Sequence, residues 1–141
     1  MPIVPYLVLG LVAATIIGMV IQKIWHALHR TELIGLDPEQ IKETWKEILD
    51  MSDHGIMGAK VAIMEADKLL DQVLKSMMMP GDTLGERLKV VAYKYPNVRR
   101  VWPAHRLRNQ LVHDAEFQIT MGQVKGALRD YEQALKTLNV L

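Results

Sequence analysis

The first apolar segment of the chain runs from Ile3 to Ile21 and contains no charged residue. As a helix, a segment of this length crosses the hydrocarbon core of a bilayer, which is roughly 30 Å thick. Lys23 and Arg30 follow the segment, and Trp25 lies where an aromatic residue is expected at a membrane interface. The pattern therefore predicts one transmembrane anchor with a basic flank, over residues 1–30.

The charges around this segment favour an uncleaved anchor over a cleaved signal peptide. A signal peptide carries Lys or Arg before its apolar region and small residues at a cleavage site after it. Here the basic residues all follow the segment, and positive residues mark the cytoplasmic side of a membrane helix. We therefore predict a single-pass plasma (inner) membrane protein, with its N-terminus outside and its C-terminal domain in the cytoplasm.

Small residues recur every four positions within the anchor, at Gly10, Ala14 and Gly18. Such a stripe lets two helix backbones approach closely in lipid. Glycine is also common in membrane helices for other reasons. Self-association through this stripe is therefore one hypothesis, and a helix that contacts only lipid is the other.

After the anchor, apolar residues recur at spacings of three and four, which is typical of amphipathic helices. The clearest stripe begins at Ile56 and ends at Met77, before the breaking pair Pro80-Gly81. Helix-start signals of capping residues precede three further helices. These signals are Asp37-Pro38-Glu39, Thr83-Leu84-Gly85-Glu86 and Thr120-Met121-Gly122-Gln123. The helix that begins after Asp37 is expected to face the core with Ile41, Trp45, Ile48 and Leu49.

A fifth helix covers Val98 to His113 and contains Pro103. Either the regular helix begins at Pro103, or it is kinked there. No segment alternates for long enough to predict a strand. The pattern therefore predicts an all-α fold, an up-and-down bundle of about five helices over residues 37–141. Residues 31–36 are expected to form a short hinge between anchor and bundle.

Composition excludes several kinds of chemistry. Cysteine is absent, which excludes disulfides, thiolate zinc sites and a cysteine nucleophile. The formal net charge of +1 gives no global sign of a nucleic-acid binder. One stretch differs, because the segment from Arg87 to Arg108, with both ends included, holds seven Lys and Arg residues and no acidic residue. Such a cluster is usually a solvated face, and it also suits phosphates or anionic lipid.

The hexapeptide from Arg108 to His113 carries the candidate chemistry. Arginine offers a planar fork that binds a phosphate, and histidine titrates near neutrality and can move a proton. These are the minimum functions for attack of an RNA 2′-hydroxyl on its own phosphate. In a helix Asn109 and His113 share one face, and His105 extends that face by one turn.

This hexapeptide, Arg-Asn-Gln-Leu-Val-His, resembles the signature of the HEPN superfamily, helical-bundle domains whose active members are metal-independent endoribonucleases. The segment from Ala62 to Leu88 and the last helix with Tyr131 also look like small HEPN-like bacterial proteins, so that the resemblance covers roughly residues 53–141. It implies that Arg108 stabilises the charged transition state, that Asn109 orients the histidine or the substrate, and that His113 acts as general base or acid. The products would carry 2′,3′-cyclic phosphate and 5′-hydroxyl ends.

The resemblance also implies a homodimer in which two motifs face one cleft, without a cofactor. Some HEPN toxins are controlled by modification of a Tyr two residues after the His, and this position is Ala115 here, so that this control is not expected. The residues that we expect to contact RNA are Arg99, Arg100, Arg106 and His105.

Other functions fit the same residues. An Arg and a His near a helix end can cap its last carbonyl groups, and many HEPN domains are not catalytic. The alternative function is therefore a membrane-anchored adaptor or scaffold that binds RNA or a protein, and a third is a small subunit of a membrane complex. His105 and His113 lie about 12 Å apart along one helix, too far to share a metal ion, so no metal is expected.

Overall fold

The computed structural model describes residues 4–28 and 31–141, with the side chains of residues 6, 8–25 and 31–141. The chain divides into two compact units, residues 1–30 and 31–141. All regular structure in the described residues is helical, so the prediction of an all-α bundle after an apolar helix is confirmed. The elements are α1 (Val4–Leu28), α2 (Pro38–Ser52), α3 (Gly55–Ser76), α4 (Leu84–Lys94), a 3₁₀ helix (Pro96–Val101), α5 (Trp102–His113) and α6 (Met121–Thr137).

The helix α1 is long and apolar enough to cross a membrane. Its 25 residues extend over about 37 Å, and the window Val8–Trp25 has a mean hydropathy of 1.9 with none of it buried in protein. The hydroxyl of Thr15 donates to the carbonyl of Val12 at 2.8 Å, which satisfies a polar group inside the helix as a lipid environment would require. Ile3 and Arg30 lie outside the described residues.

Local capping explains where the bundle helices begin. The side chain of Thr83 accepts from the amide of Glu86 at 3.2 Å, while the Glu86 carboxylate accepts from the amide of Thr83 at 3.4 Å. Thr120 and Gln123 form the same reciprocal pair before α6. Because each pair satisfies two free amides, these positions fix a helix start without help from tertiary contacts. Both predicted capping boxes are confirmed.

The structure shows that the α-helix begins close to Pro103 and is preceded by a 3₁₀ helix. The chain forms a 3₁₀ helix over Pro96–Val101, and the α-helix begins at Trp102. Pro103 therefore lies in the first turn of α5, where a missing amide costs no hydrogen bond. Of the two alternatives, the helix start at this proline is correct to within one residue.

The core of the bundle forms around α3, which packs against α2, α4, α5 and α6. Its inner face buries Ile63, Leu70 and Val73 completely. Two residues predicted for the core are instead exposed, Leu49 by 40% and Ile56 by 43%. Leu49 is turned about 100° from the fully buried neighbour that precedes it, and Ile56 lies at the first turn of α3.

Residues 31–36, predicted as a hinge, are attached to the second unit in the structure. The amide of Ile34 donates to the carbonyl of Ser76 at 2.9 Å, and the hydroxyl of Thr31 donates to the carbonyl of Leu138. Two leucines of this segment also pack against the core. Since the buried core residues of the described part of the chain all belong to this unit, we expect it to fold without α1.

Candidate functional site

A carboxylate lies inside the apolar bundle, on the buried face of α3. Asp67 follows the buried Ala66 and precedes the buried Leu69, and its side chain is only 5% exposed. Burying an ionised carboxylate is costly unless it is paired and hydrogen-bonded. The structure supplies such partners from α5 and α6, and these partners define the site.

Three side chains converge on this carboxylate. The ring Nδ1 of His105 donates to Oδ1 of Asp67 at 2.7 Å, and the hydroxyl of Tyr131 donates to the same oxygen at 2.8 Å. The Nε of Arg108 lies 3.2 Å from Oδ2, an ion pair without the angle of a hydrogen bond. A carboxylate held by three such groups is compensated in charge and fixed in position.

Asn109 closes the network on the side of α5. Its Oδ1 accepts from Nη1 of Arg108 at 3.0 Å, which turns its amide nitrogen toward Nε2 of His105 at 3.3 Å. Because a carboxylate can only accept, Nδ1 of His105 carries a proton and Nε2 is free to accept from the amide. Spacings of three and four residues on α5 bring these three side chains to one face of the helix.

Burial within this network changes the acidity of Tyr131. The side chain is completely buried, and burial raises the pKa of its hydroxyl far above the usual value, with the negative charge of Asp67 as the second cause. Both effects disfavour the phenolate. Tyr131 therefore acts as a permanent hydrogen-bond donor to the carboxylate.

A cavity of about 550 Å³ opens beside the network. It is lined by the carboxylates of Asp67, Asp71 and Asp82 and by the side chains of Arg108 and Asn109. Arg108 retains 33% of its side-chain exposure. The cavity is thus bordered by two cations, Arg108 and Lys68, and by three carboxylates.

Glycine at position 81 is required for the loop that leads to this cavity. Gly81 has a φ of +139°, and a Cβ there would lie 2.8 Å from the Cβ of Glu86. Only glycine adopts this conformation without strain. The turn brings Asp82 and Thr83 to the rim of the cavity.

A second ion pair lies next to the first. Asp71, one turn after Asp67 on α3, lies 2.7 Å from Nζ of Lys75 and 3.6 Å from Nε of Arg87. The side chain of Arg87 is only 6% exposed. The two ends of the predicted basic stretch, Arg87 and Arg108, are therefore directed inward onto carboxylates of α3.

His113 does not join the residues predicted to act with it. It is exposed at the last position of α5, and within the described part of the chain it forms no hydrogen bond or ion pair. Arg108 instead faces Asp67, and His113 is turned from it by about 140° around the helix axis. The structure thus brings Arg108, Asn109 and His105 together and leaves His113 apart.

The residues predicted to contact RNA occupy three different environments. Arg99 and Arg100 are exposed on the 3₁₀ helix. Arg106 is exposed on α5 and lines a second cavity of about 440 Å³, together with Asp130. Burial raises the pKa of Asp130, and the charge of Arg129 partly offsets this shift. His105 is only 11% exposed, so it offers little surface to a large ligand.

Two members of the network were not assigned a functional role from sequence, Asp67 and Tyr131. A signal for Asp67 was present, because an acid between buried apolar positions of a helix requires a partner. The partner residues lie 38 and 64 positions away along the chain, and periodicity carries no information on such pairs.

Comparison of the chain with family models, curated proteins and solved structures gave no match.

Proposed function

We propose that this chain is a membrane-anchored, HEPN-like adaptor or scaffold. In this proposal α1 lies in the inner (plasma) membrane, and the bundle is a non-catalytic binding module on its cytoplasmic side. The module would act as a homodimer, as the family resemblance implies.

One observation carries the non-catalytic part of the proposal. Asp67, His105, Arg108, Asn109 and Tyr131 bond to one another from three helices. A catalytic arginine presents its guanidinium to the substrate, whereas here Nε of Arg108 lies against Asp67 and Nη1 donates to Asn109. Such a closed network supports a structural role, which joins α3, α5 and α6.

The length and composition of α1 support the anchor. Its polar hydroxyl at Thr15 is satisfied within the helix, and Lys23 and Trp25 are at the end where a basic and aromatic flank is expected.

The anchor predicts how the protein partitions in a cell fraction. We expect the full chain to stay with membranes through an alkaline carbonate wash, and a chain that begins at Thr31 to be soluble. An intact mass would exclude cleavage after α1. Full-length protein in the soluble fraction would contradict the anchor. Digestion of the C-terminal unit by a protease added outside sealed cells would contradict the predicted orientation.

The endoribonuclease remains a second candidate, because two observations favour it. A third of the Arg108 side chain is open to the cavity of about 550 Å³, and His113 is exposed without a partner in the described part of the chain. In a dimer, His113 of one copy would complete the site at Arg108 of the other. Arg108 would then bind the phosphate, and His113 would take the proton of the 2′-hydroxyl.

An RNA cleavage assay in EDTA separates the two functions. For an adaptor, we expect the full chain in detergent to give no more cleavage than its His113→Ala variant. An endoribonuclease would release 2′,3′-cyclic phosphate ends, and the same variant would lose the contribution of proton transfer, roughly 10²–10⁴-fold.

Gln110→Ala is the matched control for this assay, since Gln110 is an exposed residue of the same helix. Cleavage that persists in Gln110→Ala and disappears in His113→Ala would contradict the adaptor. Equal cleavage by all three proteins would indicate a contaminating nuclease, and DNA would test for it because DNA lacks the attacking hydroxyl.

A further inference from the structure

We propose that the outer surface of α4 and the 3₁₀ helix binds the anionic headgroups of a lipid bilayer. We call this surface the basic face, and it consists of Lys89, Val90, Tyr93, Lys94, Arg99 and Arg100. All six side chains are exposed. The inference rests on the proposed anchor, and it gives the adaptor module a second contact with the membrane.

The charges of the basic face are not compensated within the described residues. Its four cations form no ion pair there, whereas Arg87 and Arg108 at the two ends of the stretch are paired with the carboxylates of Asp71 and Asp67 on α3. The nearest acid on α4 is Glu86, and its carboxylate accepts from two backbone amides of the capping turn. The face therefore presents unneutralised positive charge to its surroundings.

Exposed apolar groups lie among these cations. Tyr93 is 85% exposed and Val90 is 38% exposed. On a helix Tyr93 is a neighbour of Lys89, and Val90 is a neighbour of Tyr93 and Lys94. Nζ of Lys94 lies 5.4 Å from the ring centre of Tyr95. Cations beside an exposed tyrosine and valine fit the headgroup region of a bilayer, where tyrosine rings are enriched.

The four cations come from α4 and the 3₁₀ helix, which pack against each other, and this favours an extended anionic partner over a small one. The formal net charge is +1, so the chain without the four cations of the basic face would carry −3. The two cavities of about 440 and 550 Å³ are lined by other residues, and the face comes from the outer side of two helices. An anchor in the same chain would also keep lipid at a high effective concentration.

RNA is the other polyanion that such a face would attract. The formal net charge of the chain is only +1, which is small for a protein that binds RNA. The exposed Val90 has no polar group that could bond to a phosphate or to the edge of a base. The lipid proposal uses both the cations and the apolar side chains. RNA binding is therefore an outcome of the test.

A fluorescent label can report contact of the basic face with lipid. The chain has no cysteine, so Asn97→Cys, an exposed position of the 3₁₀ helix, and Gln40→Cys, an exposed position of α2, can each be labelled alone. The full chain is placed in nanodiscs of phosphatidylcholine, with or without phosphatidylglycerol, that contain a lipid with a quencher on its headgroup. We expect quenching at position 97 with phosphatidylglycerol, loss of quenching at high salt, and no such change at position 40.

Charge reversal tests which residues are responsible. Arg99→Glu with Arg100→Glu is expected to lower the lipid-bound population of the face by about tenfold or more, since each cation near an anionic membrane contributes a severalfold gain. Lys46→Glu with Lys125→Glu is the matched control, because both lysines are exposed on other helices. Equal loss in both double variants would overturn the proposal.

The remaining outcomes are also decisive. Quenching at position 97 that does not depend on phosphatidylglycerol would exclude recognition of anionic lipid. Binding of a short single-stranded RNA that is lost on reversal of Arg99 and Arg100, without any lipid effect, would identify RNA as the partner. Failure of the full chain to enter nanodiscs would disprove the anchor, and the labels would then test the basic face with phosphatidylglycerol vesicles added to the soluble protein.

Discussion

Replacing Asp67 by Ala is expected to lower the free energy of unfolding by about 3–5 kcal/mol. The change removes the carboxylate that compensates Arg108 and accepts hydrogen bonds from His105 and Tyr131. Chemical denaturation of the full chain in detergent, followed by near-UV circular dichroism, would measure the loss. Because the bundle holds only a modest core, this loss approaches the whole stability of a small domain.

Two controls keep this prediction testable if Asp67→Ala does not fold. Glu65→Ala removes a carboxylate of the same helix that pairs with the exposed Lys68, and we expect a change in the free energy of unfolding below about 1 kcal/mol. Tyr131→Phe removes one hydrogen bond to the carboxylate, which is worth about 1.5–3 kcal/mol. A larger loss in Glu65→Ala than in Tyr131→Phe would contradict the structural role of the network.

Tyr131 also predicts a dependence of stability on pH. Its pKa is raised in the folded state by burial and by Asp67, so the folded state holds this proton more tightly than the unfolded state. The stabilisation is fully present below the unfolded value of about 10 and is lost as the pH rises above it. In Tyr131→Phe this alkaline loss of stability should disappear. The free energies of unfolding of the two proteins should therefore differ less above pH ~10 than below it.

Arg108→Ala and His113→Ala are expected to differ in how much they destabilise the protein. Loss of Arg108 leaves one oxygen of the buried Asp67 without its cation, and we expect a destabilisation of about 1.5–3 kcal/mol. Loss of the exposed His113 should change stability by less than about 0.5 kcal/mol. Thermal unfolding of both variants in one buffer gives the comparison, and equal destabilisation would show that His113 contributes to the fold.

Arg108→Lys refines this test. An ammonium group keeps the positive charge but cannot hold Asp67 and Asn109 at once as the planar fork does. We expect Arg108→Lys to recover part of the stability lost in Arg108→Ala. No recovery would mean that the geometry of the fork, and not its charge, stabilises the network.

The helices were predicted well because their signals are local. The capping pairs before α4 and α6 satisfy free amides within four residues, and apolar spacing defined the buried face of α3. The exceptions show the limit of periodicity. Leu49 and Ile56 fit an apolar stripe but remain exposed, because burial depends on which neighbour is packed opposite a position.

Spacing along the chain and packing in space group the candidate site residues differently. Arg108 and Asn109 were identified from their spacing, and they do lie together. The same reasoning grouped them with His113 on one helix, whereas in the structure Arg108 faces Asp67 on α3, and Asp67 also accepts a hydrogen bond from Tyr131 on α6. The tertiary structure also gives the basic residues two different environments. Arg87 and Arg108 are directed inward, and the cations between them are exposed.

The sequence by itself determined the apolar helix, the capped helix starts of the bundle and the run of basic residues. These depend on hydrophobicity, capping and charge within a few neighbouring positions. Only the tertiary structure decided that Asp67 is the centre of the polar network and that His113 lies outside it. The physical reason is that a buried carboxylate selects its partners by proximity in space, across 38 and 64 positions of sequence.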